Sequence, residues 1–295
     1  MNMKKLFSFF CVALASSLAC SLFNAPVQSG EPGVSVSTVV AETMQALPTL
    51  EQIATEPAPA FSGTPVEFGN VRLTISPGVA AGATGVQIPP AGDQDSAPWG
   101  VTPGHVELTF DGYTLQDRFH EPKIYIYPAS AYAALLPGAA GNILLLQNIL
   151  ANPGQLSAES QMPGIPFFNA GAVFAAQQQI VQFQDGSGVR MLTQYAQSFA
   201  QVNNHELFYH FQGLTSDGQY YIIAILPISA PILAENWEAT APSDGVPFPG
   251  YSDPDTDFQA YYDQIIAKLN TLPEDAFNPS IAKLDTLIGT LQIMP

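Results

Sequence analysis

His205-Glu206-Leu207-Phe208-Tyr209-His210 brings two imidazoles and a carboxylate into six residues, the raw material of a zinc-dependent hydrolase. The spacing argues against that chemistry. A zinc-protease helix carries its histidines at i and i+4, so that both rings reach one metal. Here they stand five apart, and on a strand an odd separation sends them to opposite faces. They read as two ordinary strand histidines. Asp253, Asp255 and Asp257 open like a calcium loop, but the sixth and twelfth positions are Phe258 and Gln264 where Gly and Glu are needed. Acids there suit a helix start, with Ser252-Asp253-Pro254 as cap and first turn. Ser187 lies in Gly186-Ser187-Gly188, which is turn chemistry rather than a nucleophile elbow. Residues 78–85 are rich in Gly but lack the Lys of a phosphate-binding loop. His105 and His120 are left to meet a carboxylate only in the fold. No catalytic residue, metal or cofactor is assigned.

Arg190 stands apart. It sits in Gly188-Val189-Arg190-Met191-Leu192, on an apolar strand of a chain with 8 basic and 25 acidic side chains. A cation there is costly without a partner, so Arg190 is the candidate structural or binding residue, expected against a carboxylate. Around it Gln177, Gln178, Gln179, Gln182, Gln184, Gln194 and Gln197 are unusually dense. With the tyrosines they either line a polar groove or solvate the wet side of an antiparallel sheet.

The elements that position these residues are legible in outline. Val66 to Ile75 reads as one strand, residues 77–103 as a Gly/Ala/Pro loop, and 106–110 and 123–127 as strands by period-2 alternation. A short helix is expected over 130–136. A second starts at Asn142 as N-cap, is apolar nearly all round and belongs deep in the core. Asp185-Gly186 marks one hairpin and residues 213–218 turn a second, whose return strand 219–228 is apolar at nearly every position from Tyr220 to Ile228 and belongs at the sheet centre. Phe258, Tyr261, Tyr262, Ile265, Ile266 and Leu269 form one helical stripe, and a last helix begins near Ser280. Strands, then helices, then hairpins, then helices make an α+β domain: an antiparallel sheet of hairpins flanked by helices, two of them C-terminal.

At the other end, Lys4 and Lys5 precede an uncharged run that closes on Ser17-Leu18-Ala19-Cys20, the layout of a secretory signal peptide at 1–19. Fourteen residues are too few to span a bilayer. Cys11 would leave with the signal, and Cys20 would remain as a lone cysteine. Ser17-Leu18-Ala19-Cys20 resembles the bacterial lipobox, which implies acylation of Cys20. Ordinary signal cleavage and a secreted soluble protein is the other reading. Residues 20–62, Pro-rich and poor in aromatics, read as a flexible tether before a globular domain at 63–295. The net charge of −17 excludes nucleic acid as a partner, and leaves membrane contact to the lipid anchor alone.

Asn203-Asn204-His205 through Asp217-Gly218-Gln219-Tyr220-Tyr221 resembles a segment of exported bacterial proteins that carry no assigned activity. The late hairpins followed by a helix ending Leu284-Asp285-Thr286-Leu287-Ile288-Gly289-Thr290-Leu291 are similar to the PsbP-like fold, which implies an antiparallel sheet used for binding and assembly. The functional expectation is a tethered, non-enzymatic binding or assembly module whose partner is an envelope protein or a small ligand. The alternative is an exported hydrolase whose histidines and acids converge only in the fold.

Overall fold

The computed structural model describes residues 61–93, 96–157 and 160–294. The signal peptide and nearly all of the tether expected from the sequence lie outside them. Twelve strands and four α-helices follow in the order β1 Thr64–Phe68, β2 Val71–Ile75, β3 Gly82–Ile88, β4 His105–Asp111, β5 Lys123–Pro128, α1 Ala129–Leu135, α2 Pro137–Ala151, β6 Gly171–Ala172, β7 Ala176–Phe183, β8 Gly186–Thr193, β9 Tyr195–Ala196, β10 Phe208–Thr215, β11 Tyr220–Pro227, α3 Phe258–Thr271, α4 Ile281–Gly289 and β12 Gln292–Ile293. The class is α+β. Seven strands form one antiparallel sheet in the order β3-β4-β5-β11-β10-β8-β7, with smaller sheets β1-β2-β12 and β6-β9.

β11 is the middle strand, and its sequence shows why. Tyr221, Ile223 and Ile225 pack toward α1 and α2, while Ile222, Ala224 and Leu226 pack toward α3, α4 and the three-stranded sheet. Covered on both faces, the strand is apolar at consecutive positions instead of alternating. Beside it, Gly188 of β8 faces Gly213 of β10. A Cβ at Gly188 would collide with the Phe211 ring, so the glycine makes room for an aromatic that fills the core.

Several expectations need correction. Val66 to Ile75 is not one strand but a hairpin turning at Gly69-Asn70, with Gly69 in the left-handed region at φ 59°. The loop foreseen at 77–103 contains β3, an edge strand whose Gly, Thr and Gln residues hide the alternation. α2 starts five residues before Asn142, with Pro137 in its first turn. Asn142 lies inside it and binds Gly138 O through Nδ2 at 2.8 Å. That helix is not deep: Ala139, Ile143 and Leu146 are buried while Leu144 is 57 % exposed. α3 is capped by Asp257, whose side chain accepts from Ala260 N at 3.0 Å. Asp253 instead accepts from Asp255 N at 2.9 Å, turning the chain earlier. His205 is on a turn before β10, not on the strand.

Candidate functional site: an uncharged double cleft

Arg190 lies on the α3/α4 face of β8 and is 1 % exposed. Its Nη2 donates to Gln179 Oε1 at 2.7 Å and to Glu274 Oε1 at 3.1 Å, and its Nη1 donates to the Gln177 carbonyl. Nε stands 3.4 Å from Asp285 Oδ1 without hydrogen-bond alignment, so that contact is Coulombic. Tyr209 OH donates to the same Asp285 oxygen at 2.8 Å. Burial pushes the Asp285 carboxyl up and Arg190 pulls it back. The guanidinium thus ties β7, β8, β10, α4 and the turn at Glu274 together. With Nη1 and Nη2 donating to protein acceptors and almost no exposure, Arg190 acts in the scaffold as a structural pin.

The glutamines do not gather in a single groove: Gln177 and Gln178 line a cleft of about 300 Å³ with Asn270, and Gln197 lines another beside β9. Gln177, left-handed at φ 52° in the β7 bulge, caps α3 by donating Nε2 to Leu269 O at 2.8 Å and Leu272 O at 3.1 Å. Gln184 donates to Gly289 O at 2.7 Å, Gln194 is buried and donates to Gln201 O at 3.1 Å, and Gln182 is exposed. Ser187 is not in a turn as expected but on β8 opposite Leu214, because the hairpin turns earlier, at Gln184-Asp185.

The histidines do not assemble a catalytic pair. His105 is 4 % exposed, and both its nitrogens are engaged, by Pro103 O at 2.9 Å and Glu107 Oε1 at 3.2 Å. No nitrogen is left to take a proton from an attacking group. His205 bonds Asp117 O through Nδ1 at 3.0 Å. His120 packs on Phe208 with ring centroids 4.4 Å apart, and burial holds it down at about 4. His210 is also depressed to about 4, chiefly by burial. Its Nε2 lies 3.0 Å from Ile165 O, which requires the proton there and leaves Nδ1 bare and unpartnered in the interior. Gln212 beside it donates to Pro163 O and accepts from Ile165 N at 3.3 Å and from Tyr221 OH. Two neutral side chains of β10 therefore hold the 163–165 loop. Among the described residues, no group of three or more His, Cys, Asp or Glu is placed to hold a metal. Cys20 lies outside the described residues, and no described helix is long and apolar enough to cross a membrane.

What the structure does assemble is a pair of clefts around the β6-β9 ribbon, which sequence reasoning missed. One, of about 370 Å³, is lined by Asn142, residues 160–164, Phe174, Met191 and Tyr195 among others. The second, of about 410 Å³, is lined by Val173, Ala196, Gln197, Ser198, Phe199, Gln259 and Tyr262. Gly171 and Ala172 border both. No charged side chain lines either cleft among the described residues. The walls are fixed. Asn142 Oδ1 accepts from Gly164 N at 2.6 Å, and Gln197 Nε2 donates to Asn169 O at 2.9 Å. From α3, Tyr262 OH accepts from Ala200 N at 2.8 Å and donates to Ala200 O at 3.1 Å. Tyr251 OH donates to Phe199 O at 2.8 Å, and the Phe199 ring stacks on Phe258 at 4.5 Å while remaining 51 % exposed.

Of the glutamines and tyrosines weighed in the sequence as groove-lining, Gln197, Tyr195 and Tyr262 line this site; the small residues Ala170-Gly171-Ala172 between Phe168 and Phe174 gave no warning of it. Comparison with protein-family models, curated proteins and solved structures finds no match for this chain.

Proposed function

We propose that this protein is a non-enzymatic binding module held at the cell envelope through Cys20, and that its ligand is uncharged and occupies the clefts beside the ribbon. The observation that carries this reading is the lining: two neighbouring clefts of ligand size, rimmed by aromatic rings and amides and free of charge among the described residues, on a strongly acidic chain. Such concave, mostly apolar sites with a few polar groups are where small ligands and peptide side chains settle. The hydrolase alternative is less favoured, because both nitrogens of His105 and Nε2 of His210 are engaged by protein atoms.

The test is calorimetry on the intact chain with two probe sets, uncharged heptapeptides and neutral oligosaccharides. Saturable binding is expected with one set, with the probe recovered unchanged, and Phe199→Ala should weaken it at least tenfold. Turnover of a probe, or binding indifferent to Phe199, would overturn the proposal. The anchor is checked separately: Cys20→Ser should move the protein from the membrane fraction to the soluble fraction, and a wild type already soluble would refute the anchor alone.

A further inference from the structure

Resting on that binding reading, we propose that the ligand is an extended polypeptide segment that adds as a strand to the free edge of β6. The hydrogen-bond pattern of the ribbon supplies the first argument. Gly171 pairs with Ala196 and Ala172 with Tyr195, and Val173 N donates to Gln194 O at 3.0 Å. In an antiparallel ladder, hydrogen-bonded and non-hydrogen-bonded pairs alternate. The bond at Val173 makes Ala172–Tyr195 a non-hydrogen-bonded pair, so the N–H and C=O of Ala172 point away from β9. Both β6 residues are exposed, and among the described residues no strand pairs with that edge. A donor and an acceptor are thus presented side by side, the template an incoming strand needs.

The second argument is the placement of the clefts. Tyr195 lines one and Ala196 the other. Tyr195 and Ala196 are adjacent on β9, and the two clefts meet along the ribbon edge at Gly171 and Ala172, which border both. A segment paired to that edge would drop its alternate side chains into the two clefts in turn. Main-chain bonds at an edge with pockets for alternate side chains is the established logic of strand addition. The uncharged linings select uncharged side chains. The absence of bulk at Gly171 and Ala172 lets the second backbone approach.

The probe is a set of fluorescein-labelled, uncharged heptapeptides with alternating apolar and small side chains, titrated by anisotropy against the intact chain. In the best binder each backbone amide is then N-methylated in turn. Affinity should fall at least tenfold at every second amide and little between them. Ala172→Pro, which removes an outward N–H not used in the ribbon, should also weaken binding at least tenfold, while Ala172→Gly should retain it. Should the proline variant unfold, the methylation series on the wild-type chain still decides. Methylation tolerated throughout, with the peptide still bound, would overturn strand addition and leave the binding module standing. Binding of neutral oligosaccharides in place of peptides would do the same. A concentration-dependent dimer in sedimentation, dissolved by Ala172→Pro, would assign the edge to a second copy and overturn the peptide as occupant. Binding of neither probe set would sink both readings.

Discussion

Two polar clusters are buried on opposite faces of β10, and they are built from different material. On the α3/α4 side, Arg190 is held by Glu274, Asp285 and Gln179. On the other side, His210 and Gln212 hold the 163–165 loop with neutral groups. Both tie segments distant in sequence to the same sheet. Each leaves one buried nitrogen without a hydrogen bond, Arg190 Nε and His210 Nδ1, so the difference lies in charge. The charged cluster depends on its counter-charges, because a stranded buried charge is expensive, and the neutral one is exposed to acid. The chain keeps a full charge set inside its scaffold and keeps the described walls of its clefts uncharged.

The largest expected effect comes from breaking the charged cluster. Arg190→Ala strands the mostly buried Asp285, while Glu274, 44 % exposed, stays solvated, and should destabilise by about 3 kcal/mol, read as a drop of roughly 10 °C in Tm. Arg190→Lys keeps the charge but loses the planar fork and should recover only part of the loss.

Acid should break the neutral cluster instead. An imidazole of ordinary pKa 6.5 is held at about 4 in His210. Below about 6.5 the unfolded chain takes a proton that the folded chain refuses until about 4, so stability falls as pH is lowered across that window. The loss from His210 approaches about 3 kcal/mol. His120 adds in the same direction, while Asp285, raised by burial, works in the opposite one. Urea midpoints measured from pH 7 to 4 should show a shallower decline in His210→Leu than in the wild type. Equal slopes would mean that His210 titrates normally.

Gly188→Ala probes the packing shared by both sides of the sheet. The new methyl meets the Phe211 ring and the Gln212 carbonyl, and overpacking of this kind costs about 2 kcal/mol. Phe199→Ala should be the mildest in stability, at about 1 kcal/mol or less, while removing ligand binding. A thermal melt paired with a binding titration separates scaffold from cleft.

The sequence made the scaffold legible where a single physical rule governs a segment. The continuous apolar run of β11 and the α3 stripe each answer to burial alone, and the β7-β8 hairpin was legible although its turn residues are Gln184 and Asp185, one position before the expected Asp185-Gly186. Arg190 was legible because a cation among apolar neighbours demands a partner. β3 escaped notice because an edge strand with one wet side needs little apolar material. Asn142 misled because an amide that caps helices elsewhere here reaches out to Gly164 from mid-helix. Although the sequence offers Gln197 and the tyrosines as groove-lining, the position of the clefts was hidden for a different reason. Their walls come from segments far apart in the chain, joined by backbone bonds such as Val173 to Gln194 that no local pattern encodes.

The three-stranded sheet joins Val71 and Arg72 to Gln292 and Ile293. Thr74 N donates to Thr290 Oγ1 at 2.8 Å across 216 positions, and Asn70 and Met294 exchange two further bonds. During vectorial synthesis the β1-β2 hairpin therefore emerges long before its third strand exists. Its Leu73 and Ile75, buried in the finished fold, stay without α4 as cover until the chain is nearly complete. Loops this long close slowly, so α4 and β12 act as a latch on assembly. A nascent chain stalled before Ser280 should remain protease-sensitive around residues 64–75, and release of the remaining residues should confer protection there in one step.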